Sequence, residues 1–93
     1  MANIRNLKKD INYVTSELVV ECFTYNFLFP EKSQDELAAI ISDSVSMKEV
    51  LIQQINDAKK SKNDQLKQKY IKIRKEFENQ VETLAERLTK LNG

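Results

Sequence analysis

Hydrophobic residues recur at every third or fourth position along three stretches of this 93-residue chain. Such spacing places side chains on one face of an α-helix, because the helix has 3.6 residues per turn. In the first stretch this face comprises Ile4, Leu7, Ile11, Val14, Leu18, Cys22, Tyr25 and Phe29. Pro30 follows, and the residue before a proline is disfavoured in the helical region. The pattern therefore predicts a first helix over about 4–29.

The second predicted helix begins with a capping signal. Ser33 and Glu36 have the spacing of a capping box, in which each side chain bonds the other's backbone N–H. The apolar face that follows contains Leu37, Ile41, Val45, Ile52 and Ile55, widened by Ile40, Leu51 and Ala58. Its middle is rich in serine, a poor helix former, and Ser44 falls on the apolar face. We expect one continuous helix over about 34–60, with a break near 43–46 as the alternative.

A polar stretch at 59–64 predicts the second turn, and a third helix follows over about 64–91. Its apolar line has the regular spacing of a heptad pattern and consists of Leu66, Tyr70, Ile73, Phe77, Val81, Leu84, Leu88 and Leu91. Three long helices of similar length, joined by short connections, predict an all-α, antiparallel up-down-up three-helix bundle, with residues 1–93 as a single domain. In a rival topology the second and third helices run together, and only dimerisation buries every apolar face.

Composition excludes most catalytic chemistry. The chain has no histidine, its only glycine is Gly93, and its single cysteine is Cys22. A serine or cysteine nucleophile paired with histidine, a histidine-containing metal site and a glycine-rich phosphate loop are therefore ruled out. We expect a protein that is not an enzyme, with no cofactor, metal ion or small-molecule substrate. Cys22 is expected in the core, and Glu78, Glu82 and Glu86 on a solvated face.

No segment predicts membrane insertion or export. The longest apolar run, residues 37–41, is far shorter than the roughly 20 residues that span a bilayer, and the N-terminal region lacks the apolar stretch of a signal peptide. One cysteine cannot form an internal disulfide, so the chain does not have the pattern of a disulfide-stapled secreted domain. The sequence predicts a soluble cytoplasmic protein with no membrane partner.

The end of the first helix carries a second apolar face. Val19, Val20, Phe23 and Phe27 lie away from the main apolar line, in a segment that holds four of the seven aromatic residues of the chain. One interpretation is that both faces of this helix pack against the other two helices. The other is that the four residues form an exposed surface that binds a second copy or another protein.

Positive charge is concentrated between residues 59 and 75. This segment holds eight basic residues against Asp64 alone: Lys59, Lys60, Lys62, Lys67, Lys69, Lys72, Arg74 and Lys75. It is a candidate polyanion patch, although only Tyr70 is interleaved and no stacking platform or recognition helix is evident. In the alternative interpretation the acidic second helix lies beside the start of the third and balances this charge within the bundle.

The opening residues 4–14, IRNLKKDINYV, and the FPEK segment at 29–32 resemble a family of short all-helical proteins from Bacteroidetes bacteria. The similarity covers roughly the first third of the chain. It implies a cytoplasmic helical protein and supplies no catalytic, cofactor-binding or metal-binding residues.

Two functional hypotheses follow from these features, and a third possibility is that the sequence shows no partner site. In the first, the protein is a non-catalytic interaction module that associates with itself or with another protein through Val19, Val20, Phe23 and Phe27. In the second, it associates with nucleic acid through residues 59–75. They differ in one simple observation, because apolar self-association survives salt and lysine-phosphate contacts do not.

Overall fold

A computed structural model describes residues 4–60 and 63–92 and shows three α-helices. Helix α1 spans Ile4–Leu28, α2 spans Gln34–Ala58 and α3 spans Asn63–Asn92. The predicted boundaries are confirmed to within two residues. As Pro30 predicts, α1 ends just before the proline, with the Phe29 N–H still donating to the Tyr25 carbonyl at 2.8 Å.

The helices run up, down and up, as predicted. Lys8 near the start of α1 donates to Asn56 near the end of α2 at 2.8 Å, so these two helices are antiparallel. The Tyr25 hydroxyl near the end of α1 donates to the Leu91 carbonyl near the end of α3 at 2.9 Å. The bundle measures 51 × 19 × 18 Å. Because α3 packs beside α2 and α1, the rival topology with a single merged helix is wrong.

A hydrophobic core runs through the bundle between the three helices. It is formed by Leu7, Ile11, Leu18, Cys22, Tyr25, Leu37, Ile40, Met47, Leu51, Ile55, Ala58, Ile73, Phe77, Leu84 and Leu88. The apolar lines predicted for α1 and α3 supply most of it. Around it lie partly buried Val14, Ile41, Ile52, Leu66, Tyr70, Val81 and Leu91.

The predicted face of α2 is partly wrong. Its buried line passes through Ile40, Ser44 and Met47, whereas Val45 is 40% exposed. Two apolar lines lie side by side on this helix, and the positions of α1 and α3 decide which of them is covered. Sequence periodicity alone does not contain that information.

The serine-rich middle of α2 is helical without interruption, so the alternative break near 43–46 is wrong. Ser44 is fully buried, and its hydroxyl donates to the Ile40 carbonyl at 2.7 Å. A buried hydroxyl that bonds within its own helix costs little. Burial of the flanking Ile40 and Met47 then outweighs the weak intrinsic helix propensity of the serines.

The predicted capping box is also wrong. Ser33 has φ 56° and ψ 30°, in the left-handed region, and its side chain makes no capping hydrogen bond. The Ser33 carbonyl still accepts the Leu37 N–H at 2.9 Å, which starts the helix. The Glu36 carboxylate, the other half of the box, accepts a hydrogen bond from Arg87 of α3.

Candidate interaction surface

Four large apolar side chains form a line on the outside of α1. Tyr13 is 67% exposed, Val20 56%, Phe23 60% and Phe27 83%. Their spacing of seven, three and four residues keeps them on one side of the helix. We refer to Tyr13, Val20, Phe23 and Phe27 together as the outer face of α1.

The outer face points directly away from the bundle. Nine residues of α-helix turn through about 900°, which amounts to half a revolution. Tyr13 therefore lies opposite buried Cys22, and Phe27 opposite buried Leu18. No rotation of α1 that keeps its inner line in the core can also bury the outer face against α2 or α3.

The four predicted interface residues divide accordingly. Val20, Phe23 and Phe27 are exposed, while Val19 is half-buried at the edge of the face. The interpretation in which both apolar faces pack inside the bundle is wrong for the three exposed residues. Sequence reasoning missed Tyr13, although it lies seven residues before Val20 and so continues the same line.

The aromatic residues at the end of α1 point in different directions. Tyr25 is buried and is held by its hydrogen bond to Leu91. Its ring centroid lies 5.0 Å from that of Phe29, which is 43% exposed, and the Lys32 ammonium lies 5.9 Å from the Phe29 ring centroid. Leu28 is also 62% exposed and adds apolar surface at this end of the helix.

The predicted polyanion patch is distributed around α3. Arg74 pairs with Asp10 of α1 at 3.4 Å, and Lys69 and Lys72 line the groove between α3 and α2 together with Asp57 and Glu76. The remaining described members, Lys59, Lys60, Lys67 and Lys75, are exposed. Lys62 lies outside the described residues. The basic residues therefore share one end of the bundle but not one face.

The first helix adds to this basic end. Lys8, which bonds Asn56, lies beside Lys59, and its pKa is lowered by a side-chain contact with that lysine and by partial desolvation. A lowered ammonium pKa is the expected effect of a nearby like charge. The fold therefore brings Lys8 of α1 next to Lys59.

The opposite end of the bundle is acidic and is organised around Arg87. Its guanidinium donates to Asp43 at 2.7 Å and to Glu36 at 3.1 Å. Both bonds raise the pKa of Arg87, and the bond to Asp43 has the larger effect. The acidic start of α2 thus meets the end of α3. The interpretation that the second helix balances the start of α3 holds only for the end of α2, where Asp57 lines a groove with Lys69 and Lys72. Antiparallel packing places the acidic start of α2 at the other end of the bundle.

The net charges of the two ends are opposite and equal. Dividing each helix at its midpoint and counting described side chains, the basic end (6–15, 47–60 and 65–77) has ten basic and four acidic residues. The acidic end (16–46 and 78–91) has three basic and nine acidic residues. The protein is therefore an electrostatic dipole of about six charges at each end, although its net charge is only +1.

The other candidate groups form no chemical site. Cys22 is buried, as predicted, and burial raises the pKa of its thiol, with a smaller contribution from Glu21. Glu21, Glu78, Glu82 and Glu86 are exposed. Among the described residues, no group of three or more acidic or cysteine side chains is arranged to hold a metal ion.

Comparison with family models, curated proteins and solved structures gives no match to this chain. The resemblance of its first third to short Bacteroidetes proteins therefore stays a prediction. Within the part of the chain that the structure describes, no helix is long and apolar enough to cross a membrane.

Proposed function

We propose that this protein is a non-catalytic self-association module whose contact surface is the outer face of α1. The observation that carries the proposal is the exposure of Val20, Phe23 and Phe27 on the side of the helix opposite the core. The setting we propose is the cytoplasm, with support from the single cysteine, which is buried as a free thiol.

The size of the surface supports this role. Taking about 200 Å² for an aromatic side chain and somewhat less for valine, the outer face leaves roughly 500 Å² of apolar surface in water. The largest apolar patch on a typical monomeric protein covers about 300–600 Å² and is often a functional surface, and the outer face lies within this range. A standard interface covers about 800 Å² on each partner, of which the outer face would supply roughly 500 Å² and flanking residues the rest.

The proposal is tested by light scattering with size-exclusion chromatography. We expect wild type to have a mass near twice 10.8 kDa, and Phe23→Glu to be a monomer with unchanged helical circular dichroism. The matched control is Ile71→Glu, because Ile71 is a 49% exposed apolar residue on α3. This control is expected to remain associated.

Three outcomes contradict the proposal. A wild-type monomer at high protein concentration shows that the outer face does not bind a second copy. Equal loss of association in Phe23→Glu and Ile71→Glu shows that the contact is not specific to α1. Loss of helix in Phe23→Glu together with loss of association shows that Phe23 supports the fold rather than an interface.

Binding to a nucleic acid is the second candidate, and the excess of ten basic over four acidic residues at the basic end favours it. We expect the wild-type protein to bind a polyanion such as heparin. Binding should be lost when Lys67 and Lys72 are changed to Glu, and it should persist in Lys90→Glu, which lies at the acidic end. Binding to phosphates weakens steeply with salt. Retention that is unchanged in the Lys67 and Lys72 variant contradicts this function.

A further inference from the structure

We infer that the partner of the outer face is a second copy of this chain lying antiparallel, so that the basic end of each copy lies beside the acidic end of the other. This inference rests on the proposed self-association and adds the orientation of the two copies. Three features of the molecule lead to it.

The first feature is the charge dipole along the bundle. Side-by-side copies have helix axes about 8–10 Å apart, which is close to the Debye length of about 8 Å at physiological ionic strength. Charges that flank the interface therefore act on one another. A parallel pair places two basic ends together and two acidic ends together, whereas an antiparallel pair places opposite charges together.

The second feature is Lys9, an exposed residue four positions before Tyr13 on the same line of α1. In a parallel pair related by a two-fold axis, the Lys9 ammonium groups of the two copies face each other at the interface. In an antiparallel pair centred near Val20 they are separated along the helix axis by about 33 Å, at 1.5 Å per residue.

The third feature is the symmetry of the apolar line. Tyr13 and Phe27 lie seven residues on either side of Val20. A two-fold axis near Val20 brings Tyr13 of one copy opposite Phe27 of the other, so the most exposed aromatic side chain gains an aromatic partner at both ends. Such an interface is self-complementary and closes at two copies.

Spin-label distances test the orientation. Asn12 and Asn26 are exposed on the same side of the outer face, and each is changed to Cys and labelled in a Cys22→Ala background. If Cys22→Ala is poorly folded, the native Cys22 is kept, since it is only 1% exposed and labels slowly. In an antiparallel pair centred near Val20, labels at Asn12 in both copies are separated axially by about 24 Å.

A mixture of singly labelled chains supplies the reciprocal measurement. In an antiparallel pair, a label at Asn12 of one copy and a label at Asn26 of the other differ axially by only about 3 Å. In a parallel pair the pattern reverses, with the two Asn12 labels close together and the mixed pair about 21 Å apart along the axis. The two arrangements therefore give opposite rankings of the same two distances.

Salt dependence tests the electrostatic argument. An increase of ionic strength from about 0.01 M to about 1 M shortens the Debye length from about 30 Å to about 3 Å. We expect the dimer dissociation constant to rise by roughly tenfold without complete dissociation, because the apolar contact persists. A dissociation constant that falls with salt contradicts the proposed charge pairing.

The possible failures are distinguishable. A dimer with the parallel distance ranking overturns the antiparallel orientation and leaves the proposed self-association intact. A dimer that persists in Phe23→Glu and Phe27→Glu uses another surface, which overturns both proposals. A monomer in every condition also overturns both.

Discussion

The outward sides of α1 and α3 differ in chemistry, although the inward sides of both helices carry the same kind of apolar line. In α3 the positions half a revolution from the buried line are charged: Glu82 lies opposite Ile73, Lys75 opposite Leu84, and Glu86 opposite Phe77. In α1 the positions opposite buried Cys22, Ile11 and Leu18 are Tyr13, Val20 and Phe27. The outward side of α3 is therefore mostly charged, with Ile71 as an exposed apolar exception, whereas α1 is apolar on both sides. The second apolar line of α1 is the surface that we propose as the contact between two copies.

The largest expected effect separates the two sides of α1. We expect Ile11→Ala to lower the free energy of unfolding by about 2–5 kcal/mol, because it leaves a cavity in the core. Val20→Ala, on the opposite side, is expected to change it by less than about 0.5 kcal/mol. Urea unfolding at low protein concentration, where the monomer dominates, measures both. If Ile11→Ala and Val20→Ala lower the free energy of unfolding equally, the two sides of α1 contribute equally to the stability of the monomer.

The next effect compares the inner sides of α1 and α3, each of which has a buried hydroxyl oxygen without a hydrogen-bond partner in the described structure. These are Thr15 Oγ1 and the Tyr70 hydroxyl. An unpaired buried polar group costs about 1–3 kcal/mol, so we expect Thr15→Val and Tyr70→Phe each to raise stability by about 1 kcal/mol. For a chain of this length that corresponds to roughly 4–8 °C in Tm.

Ser44→Ala is the matched control for these two substitutions. The Ser44 hydroxyl already has a partner in the Ile40 carbonyl, and alanine has the higher helix propensity. We expect little change in Tm from its removal. A drop in Tm for Thr15→Val, measured by thermal circular dichroism, would show that the threonine hydroxyl is satisfied in solution.

A smaller effect compares the two ends of α3. Arg87 makes two ion pairs and its side chain is 29% exposed, whereas Arg74 makes a single longer pair with Asp10. After allowance for solvent screening, we expect Arg87→Gln to cost about 1 kcal/mol and Arg74→Gln less. High salt should reduce the difference in unfolding free energy between the Arg87→Gln and Arg74→Gln variants. In 1 M salt the Debye length is about 3 Å, so an electrostatic difference in stability between the two variants should be largely screened. If the full difference persists in 1 M salt, its origin is not electrostatic.

The smallest effect appears only at alkaline pH and reports on the inner side of α1. Burial raises the pKa of Cys22 above its ordinary value of 9.0. Its thiol therefore ionises in the unfolded chain before it ionises in the folded protein, and stability falls as pH rises from about 9 through the folded pKa. We expect a shallower alkaline decline in Cys22→Ala, measured by urea unfolding from pH 7 to pH 10. An unchanged slope would show that the thiolate is not penalised in the core.

Much of the fold follows from local patterns that act within each helix. The apolar lines of α1 and α3, the stop at Pro30 and the burial of Cys22 were all predictable, because one regular spacing repeats for several turns. The capping box was not, because Ser33 takes the left-handed conformation, whereas a capping serine takes an extended one. The exposure of Val45 in α2 was not predictable either, since two adjacent apolar lines compete for one core.

The candidate surface was only half predictable. The sequence identifies Val20, Phe23 and Phe27 as a second apolar face, because their spacing is a property of one helix. Their exposure depends on the number and position of the neighbouring helices.

The sequence by itself therefore determined three amphipathic helices, their ends and the absence of histidine- and glycine-dependent chemistry. These properties arise from residues that are near one another along the chain. The tertiary structure alone decided which line of α2 is buried, that the outer face of α1 is left uncovered, and that opposite charges collect at opposite ends. Those outcomes depend on antiparallel packing, which brings together residues such as Lys8 and Lys59, or Arg87 and Glu36, that are about 50 positions apart in sequence.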